Sequence, residues 1–336
     1  MNSSSDPHSK HPREVLQVAQ AGAVVLPVCD HYCGVEARMR KSLTIQADMQ
    51  QEFGVCVFDV TFDCEDGAPV GGEVEHAHLV RELVQSADPK ARVAVRVHPV
   101  DHDSFHTDIE EIVGKVGHRL CHVMLPKVES FADIDNAVRA IDQAGATQLA
   151  VHALIESPAA VHRAFEIASH PRLQSISFGL MDFVSAHAGA IASSGMDADG
   201  QFSHPLVLRA KLEISSACHA HGKVPSHSVV TEFDDTYAAE NAARRASQEY
   251  GYTRMWSIHP AQIRPILAAM SPSAADIERA CDVLFAAQRA AWAPINMGGK
   301  LLDRATYRYF WQLLERAHRT GRALPPDVAV YFAQAH

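Results

Sequence analysis

The sequence predicts an α/β protein that closes into a (β/α)8 TIM barrel with a C-terminal helical lid extension. Short runs rich in Val, Ile, Phe and Leu alternate with longer amphipathic segments, as in parallel strands joined by helices. Eight such runs are present, and eight strand-helix units need about 250 residues, which the 336-residue chain provides. No GxGxxG turn follows a strand run, which disfavours a doubly wound open sheet with the same alternation.

The strand and helix predictions follow the chain in order. The predicted strands are 23–28, 55–62, 92–97, 121–126, 149–155, 175–179, 223–230 and 253–258. The predicted helices between and after them are 35–52, 73–87, 105–116, 131–144, 158–168, 205–221, 232–250 and 261–270. Helix starts are indicated by Ser157 before Pro158, by His259 before Pro260, and by the capping-box spacings Ser130 to Asp133 and Thr231 to Asp234. Gly222 is predicted to end the helix before the seventh strand.

The domain prediction has three parts. Residues 1–20 are polar and are expected to form a disordered tail, and residues 21–291 are expected to form the catalytic barrel. Residues 292–336 are assigned to a lid or oligomerisation segment, with helices at 273–291 and 303–320 on either side of WAPINMGGKLLD. The Pro and Gly residues of that stretch predict a flexible connection that lets the last helices cover a barrel mouth.

Composition excludes several classes of function. The formal charge is −10 and no Lys/Arg cluster is present, which argues against a nucleic-acid partner. No apolar stretch approaches the roughly 20 residues that span a bilayer, and the N-terminus lacks the apolar core of a secretory signal, so a cytoplasmic protein with no membrane partner is expected. The seven scattered cysteines are expected to be reduced thiols.

Two acidic residues carry the case for an enzyme. Glu156 ends the apolar run LAVHALIE, and Asp182 ends SISFGLMD. If both runs are parallel barrel strands, the two carboxylates project into one mouth, where they could hold a hard divalent cation. The alternative is that one or both carboxylates cap helices.

Further polar residues are predicted at the same mouth. Arg96 interrupts an apolar strand, so burial requires an acidic residue or an anionic ligand to face it; a structural ion pair is the alternative. A mouth with several carboxylates and two cations suits a metal site with an anionic ligand. The other predicted members of this ring are Asp59, Asp63, Glu65, Asp66, His98, Lys127, Glu129, His227 and His259. Of these, Glu65, Asp66, His98, Lys127 and His259 are expected to bind the substrate.

Other catalytic motifs give little support. Cys29, His31 and Cys33 lie close together after the predicted first strand, but a structural zinc site needs a second ligand pair, and none has the required spacing. No GxSxG or HExxH motif is present, so serine hydrolase and zincin mechanisms have no support.

Six ordered motifs resemble the HpcH/HpaI aldolase superfamily, whose members include citrate lyase β-subunit-like and malyl-CoA lyase-like proteins. They are FDCEDGAP at 62–69, RVH at 96–98, LPKVES at 125–130, LIESPAAV at 154–161, FGLMDF at 178–183 and SIHPAQI at 257–263. The resemblance runs from about residue 23 to 310. It implies a (β/α)8 barrel, assembled as a homotrimer or homohexamer, that binds Mg2+ and makes or breaks a bond between a 2-oxo acid and an enolate, often that of an acyl-CoA thioester.

The resemblance also implies roles for individual residues. Glu156 and Asp182 match the two protein ligands of magnesium, and Arg96 matches the arginine that contacts the substrate oxygens. Asp303 is similar to the lid aspartate that reaches a neighbouring subunit's site as acid or base.

The chain departs from the family pattern at the mouth. Relatives commonly have Glu at the position of Met181, Asn at the position of His98, and an FVPG-like first strand where this chain reads LPVCDHYCG. The expected function is a magnesium-dependent carbon-carbon lyase acting on an acyl-CoA or free enolate and a 2-oxo acid. The alternatives are a CoA-independent pyruvate-type aldolase and a non-catalytic subunit that binds an acyl group or an oxo acid.

Overall fold

The computed structural model describes residues 11–16 and 26–332. Eight parallel strands form a closed barrel in chain order, and the eighth strand pairs with the first. The predicted (β/α)8 barrel is thereby confirmed. The chain divides into two compact units, residues 24–270 and residues 271–336 together with 1–23.

The elements alternate along the first unit as the sequence predicts. The strands are β1 Cys29–Cys33, β2 Phe58–Asp63, β3 Val93–Arg96, β4 Leu120–Leu125, β5 Val151–Ile155, β6 Leu173–Phe178, β7 Val224–His227, β8 Arg254–Ser257, β9 Ile295–Met297 and β10 Lys300–Leu302. The helices are α1 Pro12–Val15, α2 Glu36–Phe53, α3 Glu73–Ser86, α4 Phe105–Asp108, α5 Gly114–Val116, α6 Phe131–Gln143, α7 Pro158–His162, α8 Ala164–Ala168, α9 Leu180–Ser185, α10 Pro205–Ala220, α11 Thr236–Tyr250, α12 Ile263–Met270, α13 Ala274–Arg289, α14 Arg304–Arg319 and α15 Pro326–Ala329.

The first strand lies later in the chain than the sequence predicts. The predicted strand 23–28 falls partly outside the described residues, and β1 is Cys29–Cys33. Pro27 has no amide hydrogen for a strand ladder, and its carbonyl oxygen accepts a hydrogen bond from Arg254 instead. The cluster Cys29, His31 and Cys33 is therefore within β1, not after it. These three residues share one face of the strand, and His31 Nδ1 lies 2.6 Å from Ser257 Oγ.

Two predicted capping boxes have different outcomes. Ser130 and Asp133 form the predicted box at the start of α6. The predicted box from Thr231 to Asp234 is wrong, because α11 begins at Thr236 and Asp235 is its cap. Glu232 instead accepts a hydrogen bond from the Ala198 backbone, which holds the segment before α11 as a loop.

The predicted helix 105–116 is helical throughout, but its hydrogen-bonding pattern changes along its length. A π-helical segment, Ile109–Val113, separates α4 from α5. Such wide turns occur frequently at functional sites. The side chain of Asp108, at the junction, is fully buried.

Charged side chains fill the lower part of the barrel interior. Arg254 Nη2 lies 2.8 Å from Asp30 Oδ2 and 2.7 Å from Asp59 Oδ2, and Arg92 Nε donates to Asp59 Oδ1 at 2.5 Å. Two guanidinium groups thus neutralise two carboxylates, which makes their burial tolerable. Although burial opposes ionisation of Asp30, the charge of Arg254 holds its pKa well below the ordinary value. We call these four residues the ionic layer.

An apolar layer lies between the ionic layer and the carboxyl ends of the strands. Its members pack as one buried cluster, which we call the floor layer: Tyr32, Met124, Leu154, Val229 and Trp256. Tyr32 follows Asp30 by two positions in β1, and Trp256 follows Arg254 by two positions in β8. Residues two apart in a strand share one face, so all four side chains face the barrel interior, and the floor layer is nearer the carboxyl ends of the strands. The Tyr32 and Trp256 rings stack at 4.6 Å.

The second unit is helical with one hairpin. Helices α13 and α14 pack around buried Tyr307 and Trp311, so α13 belongs to this unit although the sequence prediction includes it in the barrel domain. The predicted flexible connection is a β-hairpin of β9 and β10. Gly298 and Gly299 both have positive φ, as a tight two-residue hairpin turn requires. No helix in the described ranges is long and apolar enough to cross a membrane.

Candidate active site

The closed parallel barrel brings the predicted site residues of the first unit to one end. Arg96 is the last residue of β3, Glu156 directly follows β5, and Asp182 lies in the first turn of α9 after β6. In a barrel of this type the loops at the carboxyl ends of the strands form a common mouth. Glu65, Asp66, His98, Lys127 and His259 also follow strand ends.

Arg96 is held by the carboxylate of Asp63, which the sequence predicts at the mouth with no assigned role. Its Nε donates to Asp63 Oδ1 at 2.7 Å, and its Nη2 donates to Asp63 Oδ2 at 2.5 Å. Both side chains are more than nine-tenths buried. This bidentate geometry fixes the plane of the guanidinium group. The expected acidic partner of the buried guanidinium is thus Asp63, which ends β2.

The loop after β2 requires two glycines to hold Asp63. The Asp63 carboxylate accepts hydrogen bonds from the backbone nitrogens of Glu65 and Gly67. A Cβ atom on Gly67 would lie 2.3 Å from Asp63 Oδ2, and one on Gly34 would lie 2.0 Å from the Gly67 carbonyl oxygen. The backbone can therefore approach Asp63 only without side chains at these positions.

Glu65 links the two cations of the mouth. Its Oε2 lies 3.0 Å from Arg96 Nη1, and its Oε1 accepts a hydrogen bond from Lys127 Nζ. Lys127 Nζ also lies 3.8 Å from Asp66 Oδ1. Although burial opposes ionisation of Glu65, the charges of Arg96 and Lys127 lower its pKa overall. Burial and the neighbouring Glu65 charge raise the pKa of Asp66.

Glu156 is a buried acid of the mouth whose pKa is strongly raised. Burial, and then the charge of Asp182, raise the pKa of Glu156 to about 8. Glu156 Oε1 accepts a hydrogen bond of 2.7 Å from the backbone nitrogen of Lys127. A Cβ atom on Gly179 would lie 2.5 Å from Glu156 Oε2, so the glycine before α9 lets the carboxylate lie against the start of the helix that carries Asp182.

This pair fits a hard divalent cation. Two carboxylates that oppose each other's ionisation are stabilised together when a cation lies between them. Carboxylate oxygens are also the protein ligands that magnesium uses, commonly one or two per ion, with waters and substrate completing the shell. Glu156 and Asp182 would hold the ion, and Arg96 would not be a ligand because its guanidinium group is itself a cation with no acceptor atom.

The remaining predicted residues have defined positions. His98 Nδ1 lies 2.7 Å from Asp108 Oδ2. His259 is exposed, and its Nδ1 accepts a hydrogen bond from the Ala261 backbone. Asp303 lies in the second unit, where it caps α14 by accepting hydrogen bonds from the backbones of Ala305 and Thr306. These bonds lower the pKa of Asp303.

A second group of possible metal ligands lies deeper in the barrel. Ligand atoms of Asp30, His122 and His152 lie within 4.8 Å of one another. The two imidazole rings are stacked at 3.6 Å with an interplanar angle of 14°. A metal ion bound to an imidazole nitrogen lies in the plane of that ring, so one ion cannot serve two parallel rings. The Glu156 and Asp182 pair remains the better cation site.

Comparison with known proteins identifies the family. The profile described as HpcH/HpaI aldolase/citrate lyase matches residues 43–260. The L-malyl-CoA/β-methylmalyl-CoA lyase of Cereibacter sphaeroides is 30% identical over 247 residues, which cover 69% of this chain and 77% of that protein.

Two solved structures extend the comparison. A citrate lyase from Burkholderia xenovorans has a TM-score of 0.80 and 47% identity, with 96% of this chain and 99% of that chain covered. The citrate lyase β subunit of Mycobacterium tuberculosis, complexed with oxaloacetate and magnesium, has a TM-score of 0.58 and 25% identity, with 74% and 98% covered. The chain therefore belongs to the HpcH/HpaI aldolase/citrate lyase family and is a carbon-carbon lyase.

Proposed function

We propose that this protein is a magnesium-dependent acyl-CoA lyase that cleaves or forms a bond between a thioester enolate and a 2-oxo acid. The observation that carries the proposal is the joint placement of Glu156, Asp182 and an arginine fixed by Asp63 at one barrel mouth. The relative from Cereibacter sphaeroides is named for malyl-CoA substrates. The Mycobacterium tuberculosis protein binds oxaloacetate with magnesium.

The metal part of the proposal rests on the two carboxylates. Magnesium, when bound by Glu156 and Asp182, supplies positive charge that favours a developing enolate or alkoxide. The high pKa of Glu156 indicates a site that is incomplete without a cation. The backbone nitrogen of Lys127, 2.7 Å from Glu156 Oε1, orients the carboxylate for this role.

The chain's own cations bind and orient the oxo acid. Arg96 keeps a fixed plane through Asp63 and so presents a preorganised charge to the substrate oxygens. Lys127, about two-fifths exposed, is placed to neutralise a carboxylate at the rim. Glu65 and Asp66 position these two cations, and His98 and His259 complete the proposed substrate-binding set.

The floor layer keeps water away from the reacting atoms. Tyr32 lies under the Arg96 guanidinium, whose central carbon is 5.6 Å from the ring centroid. Electrostatic stabilisation of an enolate is stronger where water is excluded. The buried aromatic surface therefore strengthens the effect of the arginine charge.

Activity against a substrate panel tests the function. Acetyl-CoA and propionyl-CoA are each incubated with glyoxylate, pyruvate or oxaloacetate, with magnesium or with EDTA, and products are measured by mass spectrometry. We expect at least one thioester and oxo acid pair to condense only with magnesium. Turnover of free hydroxy-oxo acids with no thioester activity would instead indicate the CoA-independent aldolase.

Asp303 and the oligomer form a second part of the proposal. We propose a homotrimer or homohexamer in which Asp303 acts as acid or base in a neighbouring subunit's mouth. The variants Glu156→Ala and Asp303→Asn are each expected to be inactive. When the two variants are unfolded and refolded together, mixed oligomers should regain activity, because in some of them an intact Glu156 in one subunit meets an intact Asp303 from its neighbour. A mixture no more active than the separate variants, in an assembly shown by light scattering to contain both chains, would place Asp303 outside the chemistry.

A further inference from the structure

A single buried carboxylate fixes the imidazole of His98. Asp108 Oδ2 accepts hydrogen bonds from the His98 backbone nitrogen at 2.8 Å and from Nδ1 at 2.7 Å. An ionised carboxylate only accepts, so Nδ1 carries the hydrogen and the neutral imidazole has its lone pair on Nε2. Asp108 is fully buried, which prevents water from competing for the bond.

The other imidazole nitrogen is available. Within residues 11–16 and 26–332, His98 Nε2 has no hydrogen-bond partner, and 9% of the side chain remains exposed. The ring of His102 stacks on His98 at 4.5 Å and 13°, which limits rotation of the imidazole. His98 therefore presents one oriented nitrogen with no structural task.

The charges around His98 favour a proton-transfer group. The hydrogen bond that His98 donates to Asp108 raises the pKa of His98 above its ordinary value, although partial burial opposes this, and the charges of Glu65 and Glu73 raise the pKa further. Proton transfer is most efficient when the catalytic pKa lies near the working pH. A pKa above that of a free imidazole favours a form of His98 that can deliver a proton to a substrate oxygen.

His98 lies beside the residues proposed to bind substrate. It follows Arg96 by two positions, and Glu65, whose charge acts on the imidazole, lies 3.0 Å from Arg96. A substrate oxygen bound by Arg96 is thus on the same side of the mouth as His98.

We propose that His98 is a catalytic acid-base residue that carries the proton of the substrate oxygen, with Asp108 as its positioning residue; this rests on the proposed lyase function. In condensation, the enolate α-carbon attacks the oxo carbon, the electron pair of the carbonyl moves to its oxygen, and that oxygen takes the proton from Nε2. In cleavage, Nε2 takes the hydroxyl proton while the carbon-carbon bond pair moves to the α-carbon. His98 then exchanges its proton with solvent, and the α-carbon proton moves separately, so no further reactant is needed.

The test compares both reaction directions over a range of pH. His98→Asn keeps a side-chain N–H that can reach Asp108 but removes the titratable group. We expect kcat to fall about 100-fold in both directions, the usual contribution of a general acid-base, with KM changed less than about threefold. In the wild type, a plot of kcat against pH should have a limb assigned to His98 that rises with pH for cleavage and falls with pH for condensation. Both limbs should be lost in His98→Asn.

Two further variants separate a catalytic from a structural role. Asp108→Asn should shift both limbs to lower pH, because the hydrogen bond that raises the His98 pKa is weakened. The matched control is His118→Asn, at an exposed histidine outside the mouth, which should leave kcat and both limbs unchanged. Thermal melting of each variant checks folding, and His98→Gln replaces His98→Asn if the latter unfolds.

The outcomes distinguish the two proposals. Exchange of the thioester α-hydrogens in D2O, followed by NMR, should persist in His98→Asn, because that step uses the carbon-bound proton. A folded His98→Asn enzyme with kcat within threefold of wild type, or with both limbs retained, would overturn the role of His98 alone. A wild-type enzyme inactive toward every thioester and oxo acid would refute the lyase proposal itself and the role of His98 with it.

Discussion

Replacing Asp63 by Asn removes the charge that holds Arg96 and tests whether the mouth depends on it. Asp63 and Arg96 side chains are only 3% and 8% exposed, and removing one partner of such a buried pair costs about 3–5 kcal/mol. Glu65 remains 3.0 Å from Arg96 and still provides a negative charge. The expected loss in the free energy of unfolding is therefore near the lower limit, about 3 kcal/mol.

The same substitution should weaken substrate binding. The bidentate bond fixes the plane of the guanidinium group, and an amide offers one accepting oxygen where the carboxylate offers two. We expect KM for the oxo acid to rise about tenfold, which corresponds to about 1.4 kcal/mol of binding, while KM for the thioester changes less. Urea unfolding and steady-state kinetics measure the two effects separately.

A surface ion pair provides the control. Glu36 pairs with Arg40 one turn later in α2, and both side chains are at least half exposed. Glu36→Gln should therefore cost less than about 0.5 kcal/mol. If Asp63→Asn costs no more than this control and leaves the oxo-acid KM unchanged, the claim that Asp63 positions Arg96 is wrong.

Four more predictions concern the cation site. Glu156→Ala or Asp182→Ala should abolish magnesium-dependent turnover with an unchanged circular dichroism spectrum; full activity in both would remove the metal assignment. Because the pKa of Glu156 is about 8, the carboxyl holds about 0.9 proton at pH 7, and magnesium binding should release it. Calorimetry in buffers of different ionisation enthalpy should find this release declining towards pH 9, and none at pH 7 would contradict the assigned pKa. The raised pKa of Glu156 also stabilises the folded state, fully so below the ordinary pKa of 4.5, and this stabilisation should be lost as pH rises through about 8. Urea titrations should therefore find that Glu156→Gln gains stability relative to the wild type as the pH is raised over this range. Gly179→Ala places a methyl group 2.5 Å from Glu156 Oε2 and should weaken magnesium binding at least tenfold, as judged by calorimetry; an unchanged affinity would show that the carboxylate can move without loss.

The barrel and the positions of Glu156 and Asp182 at its mouth were predictable because both depend on local patterns. Alternating apolar runs and amphipathic segments indicate parallel strand-helix units, and chain direction then places every strand end at one mouth. Glu156 and Asp182 each end such a run, so their meeting follows from topology alone. The raised pKa of Glu156 does not follow from topology, because it depends on burial.

The contacts between distant segments were not predictable. Asp108 lies within an apparently ordinary helix, and no local pattern indicates that it meets His98. The predicted first strand lies too early because AVVLPV has the apolar pattern of a strand, whereas β1 carries Asp30, whose charge is paired with Arg254 on β8. A polar residue in a strand does not by itself indicate which residue it pairs with or whether it faces the barrel interior.

The floor layer separates two sets of charges that would otherwise influence one another. Above it lie the acids and bases proposed to change protonation or bind an ion during turnover; below it, Asp30 and Arg254 form a buried ion pair. Five hydrophobic side chains lie between the ion pairs of the ionic layer and the titratable groups of the mouth. Substitutions that adapt the rim to a bulkier or smaller acyl group can therefore accumulate without weakening the scaffold, provided that Tyr32 and Trp256 are kept.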